Sequence, residues 1–141
     1  MAHDVPRRFT FTRHWLPVLL YVALIFTLSS MPHLQAPFHF PNADKVMHIG
    51  EYGLLGLLLV RALHTIARLE SMLAAGLLAL VIGVAIGGAD ELYQRGVPGR
   101  ESSILDVVAD TLGVSLSQIA YAWAHRPRDA AAPPGSGRAA A

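Results

Sequence analysis

Five of the ten acidic residues fall between Gly87 and Gly113: Asp90, Glu91, Glu101, Asp106 and Asp110. Arg95 and Arg100 lie among them. A second polar set stands upstream at Asp44, Lys45, His48, Glu51 and Tyr52. Both sets border apolar runs, where an ionisable group costs free energy unless it is paired, hydrated or used. His48 and Glu51 lie one helical turn apart, which suits a general base and its orienting carboxylate. They are the candidate catalytic residues. Carboxylates beside a histidine also suit a divalent metal ion. The spacing is not H-E-x-x-H, and no metal motif of known spacing is present, so the metal ligands and the cofactor stay unassigned, with a divalent cation admitted on residue type alone. Ser102 and Ser103 read better as caps of the next helix than as nucleophiles.

Such polar groups also serve as structural glue in membrane bundles, with Lys45 or Arg100 neutralising carboxylates. The balance of charge argues for more. Asp44, Glu51, Asp90, Glu91, Asp106 and Asp110 outnumber Lys45, Arg95 and Arg100. Unpaired buried charge is expensive. The excess therefore points to a bound cation, a protonated carboxyl or a cationic ligand. The ligand-binding candidates are Asp44, Lys45, His48, Glu51, Tyr52, Asp90, Glu91, Gln94, Arg100, Asp106 and Asp110.

A chain of 141 residues is one domain by length. Apolar residues make up 53% and charged residues 15%, and the mean hydropathy is +0.43. That composition belongs to a small membrane protein. The net charge of +1 gives no reason to expect a nucleic-acid partner. Cysteine is absent, which excludes thiol catalysis, disulfides and thiolate metal sites.

Four apolar runs must position the polar residues. The predicted fold is all-α, an integral membrane bundle of four transmembrane helices. Residues 1–14 read as a basic cytoplasmic amino terminus, 15–123 as the transmembrane domain and 124–141 as a disordered cytoplasmic tail. The first helix is predicted over Trp15 to Met31, uncleaved, with Pro17 in its first turn, where a missing N–H costs little. The second is predicted over Asp44 to Ala67, capped by Asn42 or Asp44. Taking Asp44 as 0°, His48 falls near ~40°, Glu51 near ~340°, Tyr52 near ~80° and Lys45 near ~100°, so one face of one end is polar. The third runs from Ser71 to Ala89 and continues through Gln94, with Gly83, Gly87, Asp90, Glu91 and Gln94 in one stripe. Gly83-x-x-x-Gly87 reads as a packing motif. Gly96 is expected to end this helix and Pro98-Gly99 to turn the chain. The fourth is predicted over Ile104 to Trp123, with Asp106, Asp110, Gly113 and Ser117 in a narrow stripe. His3, His14, His33, His39, His64 and His125 are expected at the surface or interface.

Orientation follows from Lys and Arg counts. The amino terminus carries three, the turn between helices two and three carries two, and the tail carries three. With four spans these eight share one side, which predicts both termini in the cytoplasm. The polar ends of helices two, three and four then meet at the outward face.

The motifs Asp44-Lys45-Val46-Met47-His48-x-x-x-Tyr52, Asp90-Glu91-x-x-Gln94, Pro98-Gly99-Arg100 and Asp106-Val107-Val108-Ala109-x-Thr111-Leu112-Gly113 occur in this order. Together they resemble the VanZ-like family over about residues 15 to 123. The resemblance implies a small multi-helix membrane protein of the bacterial inner membrane. The family's namesake is associated with resistance to the glycopeptide teicoplanin. One departure is visible, since the family usually has Asn where this chain has Asp110, which adds an acid to the stripe.

Three classes of function fit these residues. A binding or envelope-modulating protein would hold a lipid or glycopeptide-like headgroup. A membrane enzyme would act on an envelope lipid or lipid-linked headgroup, with His48 or Glu51 as acid/base and Arg100 gripping a phosphate. A proton or ion carrier would need polar groups across the whole bilayer, and Gly53 to Val60 is wholly apolar. The first class is preferred. Membrane lipids are the expected partners, and the sequence does not give an oligomeric state.

Overall fold

The computed structural model describes residues 7–33, 37, 40–66 and 71–126. They form four helices: α1 (Arg7–Ser29), α2 (Ala43–Ile66), α3 (Met72–Gln94) and α4 (Ile104–Ala124). Each has 21 to 24 residues. At about 1.5 Å per residue these lengths cover the roughly 30 Å hydrocarbon core of a bilayer. All four are apolar enough to cross it. The protein is an all-helical, multi-pass membrane bundle.

The packing is turned inside out relative to a protein in water. Leu19, Leu20, Leu73, Val81, Ile119 and Trp123 face outward. The buried residues of α3 are Ala75, Ala79, Gly83, Gly87, Asp90, Glu91 and Gln94, all of them small or polar. No hydrophobic effect drives helices together in lipid, so close backbone approach and polar contacts must hold them. The large buried side chains come mainly from α2, with Tyr52, Leu55, Leu59, Val60 and Leu63, which places α2 at the centre. α2 and α4 form the most extensive pairing, and α1 rests on α2 and α3.

Two glycines set the α2–α4 crossing. A Cβ on Gly113 would meet the Ile49 carbonyl oxygen and lie 2.8 Å from the Gly53 nitrogen, both backbone atoms that cannot give way. On α3, a Cβ on Gly87 would lie 2.7 Å from Asp110 Oδ2. The Gly83-x-x-x-Gly87 pair is thus a packing motif in part, with Gly83 receiving Val114 and Gly87 receiving a carboxylate.

The helix boundaries differ from the sequence reading at several points. α1 begins at Arg7, not Trp15, because nothing between Arg7 and His14 breaks a helix. Pro17 therefore stands inside α1, an arrangement that membrane helices tolerate. Asn42 does not cap α2 in the usual extended conformation, since its φ is +61°. Arg95 closes α3, with its N–H donating to the Glu91 carbonyl, and Gly96 follows in the turn. Arg61 and His64 lie within the last turns of α2. Ser71 and Ser103 are the caps of α3 and α4. His3, His39, Arg68, Glu70 and residues 127–141 lie outside the described residues.

Candidate functional site

The carboxyl end of α1, the amino end of α2, the carboxyl end of α3 and the amino end of α4 share one end of the bundle. α2 contributes Lys45, His48 and Tyr52 at i, i+3 and i+7, one stripe of a helix. α3 contributes Asp90, Glu91 and Gln94, and α4 contributes Asp106 and Asp110, again at spacings of three and four.

The contacts between these helices are specific. His48 Nδ1 lies 2.8 Å from Asp110 Oδ1, and the Asp110 side chain is fully buried. The His48 ring stacks on Tyr52, with centroids 6.3 Å apart. Lys45 Nζ lies 2.5 Å from Asp106 Oδ1 and 2.7 Å from Asp44 Oδ2, linking a buried acid to one at the rim. The Glu91 side chain accepts the Ser103 backbone N–H at 2.9 Å, which sets a carboxylate on the positive end of the α4 dipole. Gln94 Nε2 donates to Asp90 Oδ2 at 2.8 Å and to Ser29 Oγ at 3.1 Å.

Among the described residues, the buried carboxylates outnumber the ion pairs that Lys45 and His48 make with them. Asp90, Glu91, Asp106 and Asp110 are all buried. Lys45 serves Asp106, and His48 serves Asp110. Asp90 and Glu91 are satisfied by uncharged donors only at the oxygens just named. Asp90 Oδ1, Glu91 Oε1, Asp110 Oδ2 and the Tyr52 hydroxyl are buried with no hydrogen-bond partner among the described residues. Such orphaned polar atoms cost about 1–3 kcal/mol each unless something fills the space between them. The Tyr52 hydroxyl stands within electrostatic reach of Asp90, Asp110, Glu51 and Glu91, so the orphans share one neighbourhood. His48, Glu91 and Asp110 can each offer one ligand atom such that all three atoms lie within 4.8 Å of one another.

The sequence candidates divide into a buried group and a rim. Lys45, His48, Tyr52, Asp90, Glu91, Gln94, Asp106 and Asp110 come together. Asp44 is exposed at the edge, with 57% of its side chain accessible. Glu51 is half-buried and interacts electrostatically with Arg100. The orienting partner of His48 is Asp110, not Glu51 as the one-turn spacing suggested.

Sequence reasoning assigned no residue of α1 to the site. Ser29 reaches Gln94, and the Tyr21 hydroxyl donates to the Glu51 carbonyl at 3.2 Å. Ser29 carried a weak signal as a hydroxyl at the end of an apolar run, but its neighbour Ser30 looked equivalent. Ser30 instead bonds the Thr27 carbonyl of its own helix. His64 and His125 flank Tyr121 at the other end of the bundle, with His64 Nδ1 3.3 Å from the Tyr121 hydroxyl.

No curated protein and no solved structure matches this chain. The family model described as VanZ/LLP1 matches residues 5–125, most of the chain, and the protein belongs to the VanZ-like family.

Proposed function

We propose that the protein sits in the bacterial inner membrane with both termini in the cytoplasm and binds the polar headgroup of an envelope lipid at the outward end of its bundle. The observation that carries this reading is the set of buried, partnerless oxygens on α3 and α4 beside the Tyr52 hydroxyl. A network built only for stability would close on itself, because an unpaired buried charge destabilises a fold strongly. Arg100, in the turn between α3 and α4, supplies a fork suited to a phosphate or carboxylate. Further along the same helices an apolar cavity of about 420 Å³, lined by Val60, Leu73, Leu77, Ser115, Gln118 and Ile119, offers room for part of an acyl chain. A glycopeptide-like group would enter by the same polar end.

A second reading is favoured by the His48–Asp110 bond. A histidine oriented by a buried carboxylate is a general base in waiting, and the bound headgroup would be its substrate. Lipid analysis of the purified protein tests the first reading. One class of envelope lipid should be enriched over the bulk membrane and lost in Asp90→Asn/Glu91→Gln. An unselective lipid profile in the wild type would refute it. For the second, His48→Gln should abolish conversion of that lipid, and identical lipid products from His48→Gln and wild type would exclude catalysis by His48.

A further inference from the structure

We infer that His48, Glu91 and Asp110 hold one divalent transition-metal ion, zinc or manganese in class, with the Tyr52 hydroxyl at its edge. This deepens the headgroup reading, on which it rests for its setting.

Geometry comes first. The three donor atoms lie within 4.8 Å of one another. Ligands about 2.1 Å from an ion stand at most ~4.2 Å apart, so small side-chain rotations close the set. The donors come from three different helices, which gives the cluster the depth of a cage rather than an edge. Asp110 is completely buried and Glu91 almost so.

Independent of that spacing are the orphaned atoms. Asp110 Oδ2, Glu91 Oε1 and the Tyr52 hydroxyl are buried and lack a hydrogen-bond partner among the described residues. Gly87 leaves room around Asp110 Oδ2, where any Cβ would crowd the carboxylate. An ion satisfies the two carboxylate oxygens and the excess negative charge at once. The donor set also selects the ion. One imidazole nitrogen with carboxylate oxygens and no thiolate suits zinc or manganese better than calcium, which takes six or more oxygens.

The ion also explains how an acidic pocket takes an anionic headgroup. Three protein ligands leave a coordination position open. A phosphate oxygen fits that position, where the bare carboxylates would repel it. The competing occupant is a proton shared between His48 Nδ1 and Asp110 Oδ1 at 2.8 Å.

The test uses the full-length protein, purified without a metal-affinity tag, stripped with EDTA, and titrated with Zn²⁺ or Mn²⁺ alone. Elemental analysis after dialysis should find about one equivalent of ion. His48→Gln, Glu91→Gln and Asp110→Asn should each weaken binding at least tenfold, and Glu101→Gln, in the loop, should not. Co²⁺ should give visible absorption bands in the wild type that His48→Gln abolishes. Should the variants fold poorly, the stripped wild type alone decides, since its melting temperature should rise on adding the ion. No retained ion, no rise in melting temperature, or equal affinity in all four variants overturns the site. Ion retained without any selected lipid would sustain this inference and sink the headgroup reading. Selected lipid bound equally by stripped protein would do the reverse.

Discussion

His48 on α2 and Asp110 on α4 meet at 2.8 Å although 62 positions separate them in the chain. Two small residues make this possible. Gly53 and Gly113 let the α2 and α4 backbones touch one turn away, which fixes the register in which the imidazole faces the carboxylate. Closing that approach should therefore damage the site from a distance. Gly113→Ala is expected to cost about 2–3 kcal/mol or more, because its Cβ meets backbone and not a movable side chain. Thermal unfolding in detergent checks this, and an unchanged melting temperature would contradict it.

Gly87 and Gly88 provide an internal comparison. Gly87→Ala should destabilise by about 1–3 kcal/mol, since its Cβ would press on Asp110 Oδ2 at 2.7 Å. Gly88→Ala meets nothing within 4 Å and should be neutral or stabilising by up to ~1 kcal/mol. Melting curves of the two single variants give the ordering directly. The reverse ordering would mean that α3 does not present Gly87 to Asp110.

Lys45 and Asp106 should behave as a coupled pair. Lys45→Met leaves Asp106 buried without its cation and should cost about 2–4 kcal/mol, discounted for the partial exposure of Lys45. Adding Asp106→Leu should restore most of that loss, because both charges then leave together. A double-mutant cycle by thermal unfolding measures the coupling. Additive losses would show that the two groups do not interact.

How far the sequence revealed these relationships depended on the kind of signal. The four helices were legible because apolar runs of bilayer length are interrupted only by short polar turns. The polar stripes on α2, α3 and α4 were legible because Lys45, His48, Asp90, Gln94, Asp106 and Asp110 recur at helical spacing. The pairing of His48 was not legible. Periodicity fixes which face a residue occupies, but the register between helices comes from contacts such as Gly53 against Gly113. The start of α1 was hidden for a different reason, since Arg7 to His14 is polar yet compatible with a helix. Ser29 was missed because a lone hydroxyl at a helix end more often bonds its own backbone, as Ser30 does.

Arg100 distinguishes neutralisation from recognition. Arg100→Lys keeps the charge and loses the bidentate fork. It is expected to express and melt like the wild type while losing at least tenfold in headgroup capture. Lipid binding and unfolding measured side by side check both halves. Full capture by Arg100→Lys would assign Arg100 to charge balance alone.

Orientation has its own test. The eight Lys and Arg residues on one side predict a cytoplasmic Ala141 and an outward Pro37. Reporter fusions at the two positions should give opposite signals. A periplasmic Ala141 would turn the polar end toward the cytoplasm and remove an envelope headgroup as its ligand.

We propose that the buried acidic cluster is a binding site and not a structural network. Native mass spectrometry of the intact protein, released from detergent with its bound molecules, tests it most directly. The wild type should carry one lipid adduct of defined mass that resists delipidation, and Asp90→Asn/Glu91→Gln should fly at the bare protein mass with its fold retained. An adduct pattern identical in the two proteins, or a wild type that flies bare, would make the cluster a structural network.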